Sequence, residues 1–336
     1  MDFLREKCSV LSRWRSTRVL RRASALTTIS PWHTRYLKGK TNPNTYCIYN
    51  GFDPEVFGLL TPEKNDVFEM VYTGTLATKS LRDYTFLVEA ISSLAKKNLI
   101  KSETFKLKFY SGNIMSENRI KEDFEAAGIK DFVEFLPFVP LSEIPDIFKR
   151  ASALVVLTAK SGKDGVHGIM TTKFFEYLAS GRPILCIPSD EECLEAAIKE
   201  TNSGCAPRTS EEAESYILSL YNEWKEKGVT EGKTKQDKLA LFSRETQAKQ
   251  FAELFSIISS NQVWEISANE IISCGYTNSI SLLHRNMAYS TDVKKAIKRA
   301  KKLYDEFVES KNAPHAGNPC TLVFLLVDKL LKQIEK

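Results

Sequence analysis

The run Thr171-Thr172-Lys173-Phe174-Phe175-Glu176-Tyr177-Leu178-Ala179-Ser180-Gly181-Arg182-Pro183 holds the residues best suited to chemistry. It reads as a helix of about two and a half turns that stops at Gly181 and passes through Pro183 into an apolar strand, Ile184 to Ile187. Ahead of it lies Gly162-Lys163-Asp164-Gly165-Val166-His167-Gly168, a glycine-rich loop that feeds the helix N-terminus. Such an N-terminus offers unpaired backbone amides and a partial positive charge, so the backbone around Thr171 and Thr172 suits a phosphate. Glu176, one turn inside, is placed to accept hydrogen bonds from a ribose. Lys173 either contacts the phosphate or faces solvent. An ordinary amphipathic helix of an α/β domain is the alternative reading of the same residues.

A second candidate is Tyr72-Thr73-Gly74-Thr75-Leu76, at the end of an apolar strand. Ligands of doubly wound sheets sit at the carboxyl ends of strands, and a glycine there lets backbone approach a phosphate. The segment is not a G-x-G-x-x-G fingerprint and has no Walker lysine, so neither a nicotinamide dinucleotide nor a P-loop is supported. Ser111-Gly112-Asn113 forms a further glycine turn on the same edge.

The elements that must position these residues alternate. Val67–Tyr72, Phe105–Tyr110, Phe132–Phe135, Ala153–Leu157 and Ile184–Ile187 read as strands, with a short one near Cys205. Helices are expected at Asp83–Lys97, Glu117–Ala127, Ile144–Arg150, Glu191–Lys199, 210–226 and 242–259. This interleaving means βαβ units and an α/β fold with a doubly wound parallel sheet. Upstream, a strand over 25–29 is followed by Ser30-Pro31, an N-cap and N1 proline for a helix through Leu37. A strand over 46–49 then ends at Asn50-Gly51, a turn signal. Residues 58–66 read as a linker. The chain therefore divides into 1–60, 61–260 and a helical extension, 261–336, whose role the sequence does not disclose.

The run at 171–185 closely resembles the nucleotide-sugar signature of group 1 glycosyltransferases, a retaining family with the two-Rossmann GT-B fold. The resemblance covers about residues 20–258. It implies a donor-binding domain, with 23–53 matching the last strand, helix and exit strand of the acceptor-side domain. Roughly another 150 residues precede that point in the family, including acceptor-side residues, so no catalytic residue is assigned. The family's glycine turn is often followed by a cation that clamps the diphosphate. Arg82 is the better-spaced candidate and Lys79 the weaker. The stretch Pro137-Phe138-Val139-Pro140 resembles the one that pairs with the nucleobase, which places Phe138 and Val139 beside the base and Ser142 with Glu143 at the next helix start. Many members carry a second glutamate eight residues before the ribose-binding one. That position is Gly168 here, with Asp164 and His167 nearby, so recognition of the donor sugar does not carry over. His167 reads as a solvated loop residue, with a part in sugar recognition as its alternative.

The implied activity is sugar transfer from a nucleotide diphosphate sugar to a saccharide or lipid-linked acceptor, in surface polysaccharide or glycan synthesis. No cofactor and no metal are implied, since the helix and an arginine supply positive charge and no D-x-D-like pair is evident. The rival reading is a non-catalytic or split module that takes its acceptor side from a separate chain.

The remaining bounds come from composition. The 336 residues, 43% hydrophobic, suit two domains, and a net charge of +5 is too small to imply nucleic acid. Seven scattered cysteines without C-x-x-C argue for a reducing compartment and against a zinc site. The absence of an apolar leader or spanning stretch suggests a cytoplasmic protein. The basic amphipathic helix over 3–23 fits peripheral contact with anionic lipid at the inner membrane face. Packing against protein is its other reading.

Overall fold

The computed structural model describes residues 17–76, 81–111, 114–162 and 167–259. The amphipathic segment before 17, Lys79, Gly112, Asn113, Asp164 and the lysine-rich tail lie outside the described residues, although 17–22 is helical. The chain comprises two compact units, 1–247 and 248–336. Every residue considered below belongs to the first.

That unit opens with a βαβ element: β1 (Leu26–Thr28), α1 (Pro31–Lys40) and β2 (Thr45–Cys47), the two strands pairing in parallel. The cap of α1 is the one its sequence specifies. The Ser30 hydroxyl accepts from the His33 amide at 3.3 Å, and Pro31 occupies the first turn, where no amide is needed.

The main sheet comprises β3 (Phe68–Thr73), β4 (Phe105–Tyr110), β5 (Val133–Leu136), β6 (Ala153–Leu157), β7 (Ile184–Ile187) and β8 (Gly204–Cys205). All pairs are parallel and the spatial order is β5-β4-β3-β6-β7-β8. Counted from β3 this is 3-2-1-4-5-6, the Rossmann order, whose reversal point lies between β3 and β6. The helices are α2 (Thr85–Lys96), α3 (Ile114–Ala126), α4 (Ile144–Arg150), α5 (Thr172–Ser180), α6 (Cys193–Thr201), α7 (Ser210–Lys227), α8 (Gln236–Leu239) and α9 (Arg244–Ser259). The unit boundary falls inside α9.

Side chains alternate across each central strand and so feed two cores. Phe68, Met70, Tyr72, Ala153, Val155, Leu157, Leu185 and Ile187 pack on one face with residues of α2, α3 and α7. Val71, Leu154, Val156, Ile184 and Cys186 pack on the other with residues of α4, α5 and α6. Burial on both faces explains the near-continuous apolar runs of β6 and β7.

Two of the departures from the sequence reading have a clear physical cause. Residues 58–66 carry no regular element, yet they form a bonded strap: Leu60 donates to Ser180, Glu63 to Lys149 and Asn65 to Gly228. The α6 helix starts at Cys193 rather than Glu191 because Glu191 takes a positive φ of 53° and the Asp190 carboxylate caps the amides of Glu192, Leu194 and Glu195.

Candidate functional site

The carboxyl end of β3 and the N-terminus of α5 meet at the reversal point. Tyr177, fully buried, joins them: the Thr73 amide donates to its hydroxyl at 2.9 Å, and the Thr73 and Tyr177 hydroxyls lie 3.1 Å apart. Burial pushes the phenol upward in pKa, so it stays a neutral donor and acceptor. Gly74 follows with φ +121°, a conformation that favours glycine, and its amide donates to Tyr110. A Cβ at this position would come within 2.9 Å of the Lys173 Cε, so the lysine stem lies directly over the glycine.

The first turn of α5 is open. Thr171 is extended (φ −70°, ψ 143°) and makes no side-chain capping bond. The Phe174 amide donates to the Thr171 carbonyl at 3.2 Å, and no side chain caps the amides of Thr172 and Lys173, which suits an anion there. Lys173 Nζ donates to Glu176 Oε2 at 3.2 Å, so the cation and the carboxylate of the sequence motif face each other one turn apart. The structure thus brings Gly74, Thr171, Thr172, Lys173 and Glu176 together.

Arg82 follows Leu81 near the end of β6, where the Asp83 amide donates to the Thr158 carbonyl. Its guanidinium donates to the Leu81 carbonyl at 2.9 Å, and its charge opposes the burial that raises the Tyr72 phenol. It is engaged with its own neighbours rather than with Glu176. Thr75 is exposed. Phe138 is 68% exposed after β5, while Val139 packs on the second core. Ser142 and Glu143 lie in a 3-10 turn that leads into α4.

His167 is not the solvated residue that its loop suggests. Its ring stacks on Trp32 of α1 with centroids 4.5 Å apart and planes 1° from parallel, and Nδ1 lies 3.0 Å from Glu192. Gly168 at φ +62° fits against α1, since a Cβ there would meet the Ser30 hydroxyl at 2.7 Å. Sequence reasoning missed Glu192, Trp32 and Tyr177, whose partners lie far away in the chain. Among the described residues, no group of three or more histidines, cysteines and carboxylates could hold a metal.

The comparisons agree with this fold. Residues 68–223 match the family described as "Glycosyl transferases group 1". Over that segment, just under half of the chain, the sequence is similar to this family. No curated protein matches in sequence. Among solved structures, the sucrose-phosphate synthase of Thermosynechococcus elongatus aligns with TM-score 0.57 at 15% identity, over 76% of this chain and 64% of that one. The chain thus spans under two thirds of that structure's length. HepE of Anabaena, solved in complex with UDP-glucose, aligns with TM-score 0.55 at 16% identity, over 75% and 69%. A glycosyltransferase of Rickettsia africae aligns with TM-score 0.57 at 13% identity, over 74% and 68%. At these identities the likeness is one of fold, and the fold is the Rossmann-like α/β architecture of GT-B glycosyltransferases.

Proposed function

We propose that the chain binds a nucleoside diphosphate sugar at the carboxyl edge of the main sheet and serves as the donor side of a glycosyltransferase. The observation that carries this reading is the Lys173–Glu176 pair on the open N-terminus of α5, held over Gly74 at the reversal point. The α5 amides near Thr171 and Thr172, with Lys173, hold the diphosphate and stabilise it as the leaving group. Arg82 joins them by releasing the Leu81 carbonyl. Glu176 accepts hydrogen bonds from the ribose hydroxyls, the base lies against Phe138 and Val139, and Thr75 lines the approach. A Rossmann neighbour solved with UDP-glucose, HepE, supports a sugar nucleotide as the ligand class.

Transfer proceeds with retention to a saccharide or lipid-linked acceptor, in a cytoplasmic setting at or near a membrane. The basic segment before 23 makes the lipid contact. No described helix is long and apolar enough to cross a membrane. The charge needed by the leaving group is assigned to this chain's own groups, without metal or cofactor. A second reading, a binding module completed by a separate acceptor-side chain, is favoured by the small β1–β2 sheet, which has two strands among the described residues.

Calorimetric titration with UDP and GDP tests the proposal. The wild-type chain should bind one of them, EDTA should leave the affinity unchanged, and Glu176→Ala and Lys173→Ala should each weaken it about tenfold or more. Arg82→Ala should weaken it as well. A folded wild-type chain that binds neither diphosphate overturns the reading.

A further inference from the structure

The donor site, as proposed, has a direction. Glu176 takes the ribose one turn inside α5 and the first-turn amides take the phosphates. Whatever hangs from the far phosphate therefore lies beyond the helix N-terminus, beside the residues that precede Thr171. His167 is four residues before that cap, within about 14 Å of it even for a fully extended chain.

His167 is held in a defined orientation by Glu192 and Trp32. An ionised carboxylate can only accept, so the 3.0 Å contact with Glu192 Oε1 places the imidazole proton on Nδ1. In the neutral ring Nε2 then carries a lone pair, and among the described residues no hydrogen bond uses it. Glu192 is fixed in turn, because its other oxygen accepts from the Gly168 amide at 2.7 Å and from the Ser161 hydroxyl at 2.9 Å. Trp32 supplies the floor on which the ring stacks, so both tautomer and ring plane are set before a ligand arrives. The side chain retains 29% exposure.

We propose that His167 is a sugar-recognition residue, its Nε2 accepting a hydrogen bond from a hydroxyl of the transferred sugar, with Glu192 as its positioning residue. This assignment rests on the donor-site reading above. It gives the site a polar contact on the sugar side at the place where Gly168 offers only backbone.

The test compares a sugar nucleotide with its parent diphosphate on the same protein. UDP, GDP, UDP-glucose, UDP-galactose, UDP-N-acetylglucosamine and GDP-mannose are titrated into the wild-type chain and into His167→Phe, which preserves the stack on Trp32. The expected result is a wild-type preference for one sugar nucleotide over its diphosphate that falls about five- to tenfold in His167→Phe. Diphosphate affinity should stay unchanged, which also shows that the variant is folded. In Glu192→Ala the preference should fall likewise, and the imidazole nitrogen signals of His167 should lose the pattern of a single Nδ1-protonated tautomer.

An unchanged preference in His167→Phe overturns the assignment, leaving the stack as a purely structural latch between α1 and the loop. Equal loss of diphosphate and sugar nucleotide binding overturns it too, as does a wild-type chain that binds diphosphate without preferring any sugar. Failure of the wild-type chain to bind every ligand sinks the donor-site reading itself, and this assignment with it.

Discussion

Gly74 shows how a single residue type can be required twice over. Its φ of +121° excludes side chains on backbone grounds, and the lysine stem above it excludes them on packing grounds. Gly74→Ala should therefore cost about 1–3 kcal/mol in denaturant unfolding. Because the new methyl group also pushes Lys173 off the helix end, diphosphate affinity should fall by more than the stability loss explains. A variant that loses stability but binds diphosphate normally would remove Lys173 from the site. The chemistry of this pair was readable from the signature run, because helix position and residue type are local properties. The His167–Glu192 contact was not, since its partners lie 25 residues apart and nothing in the spacing links a loop histidine to the cap of a later helix.

Among elements, α5 is the one that carries the site, and its orientation depends on Tyr177. That phenol ties the helix to the last residue of β3, so the open amides and the glycine turn keep one geometry. Tyr177→Phe keeps the packing and removes the tie, leaving the Thr73 amide buried without its partner. A loss of about 1–2 kcal/mol in stability is expected, with weaker binding of diphosphate by titration. If affinity is unaffected, α5 is held by its apolar face alone. Most elements were legible from pattern and punctuation. The strands Phe105–Tyr110, Ala153–Leu157 and Ile184–Ile187 have the limits read from the sequence, and Ser30-Pro31 marked the start of α1. The start of α6 was not legible, because Asp190 reaches forward to cap three amides past a residue of positive φ.

At the scale of the whole first unit, the strap at 58–66 and the segment 228–235 close the amino-terminal side of the sheet. Arg182, only 2% exposed, anchors the second of these, 228–235, to the residues before β6. Its guanidinium donates to the Ala151 carbonyl and to both the carbonyl and the hydroxyl of Thr230. Burial pushes its pKa down to about 10, so the ion remains charged at neutral pH at a desolvation cost that these acceptors offset. Arg182→Ala would strip three acceptors of their donor and should lower stability by about 3 kcal/mol, read as an earlier urea midpoint with unchanged slope. An unchanged midpoint would mean the 228–235 segment holds without it. The sequence presented Arg182 only as the residue between Gly181 and Pro183, and gave no sign of Thr230 as its partner.

The ion pair between Lys173 and Glu176 has a consequence for selectivity. The Lys173 ammonium and the Glu176 carboxylate satisfy each other, so neither charge stands alone beside the helix end. Orthophosphate or sulfate, drawing the ammonium away, would leave the carboxylate uncompensated. A ligand that brings phosphate and a vicinal diol together replaces both partners at once. On the donor-site proposal, the pair would work as a coincidence detector, passing over the abundant simple anions and answering to a nucleotide.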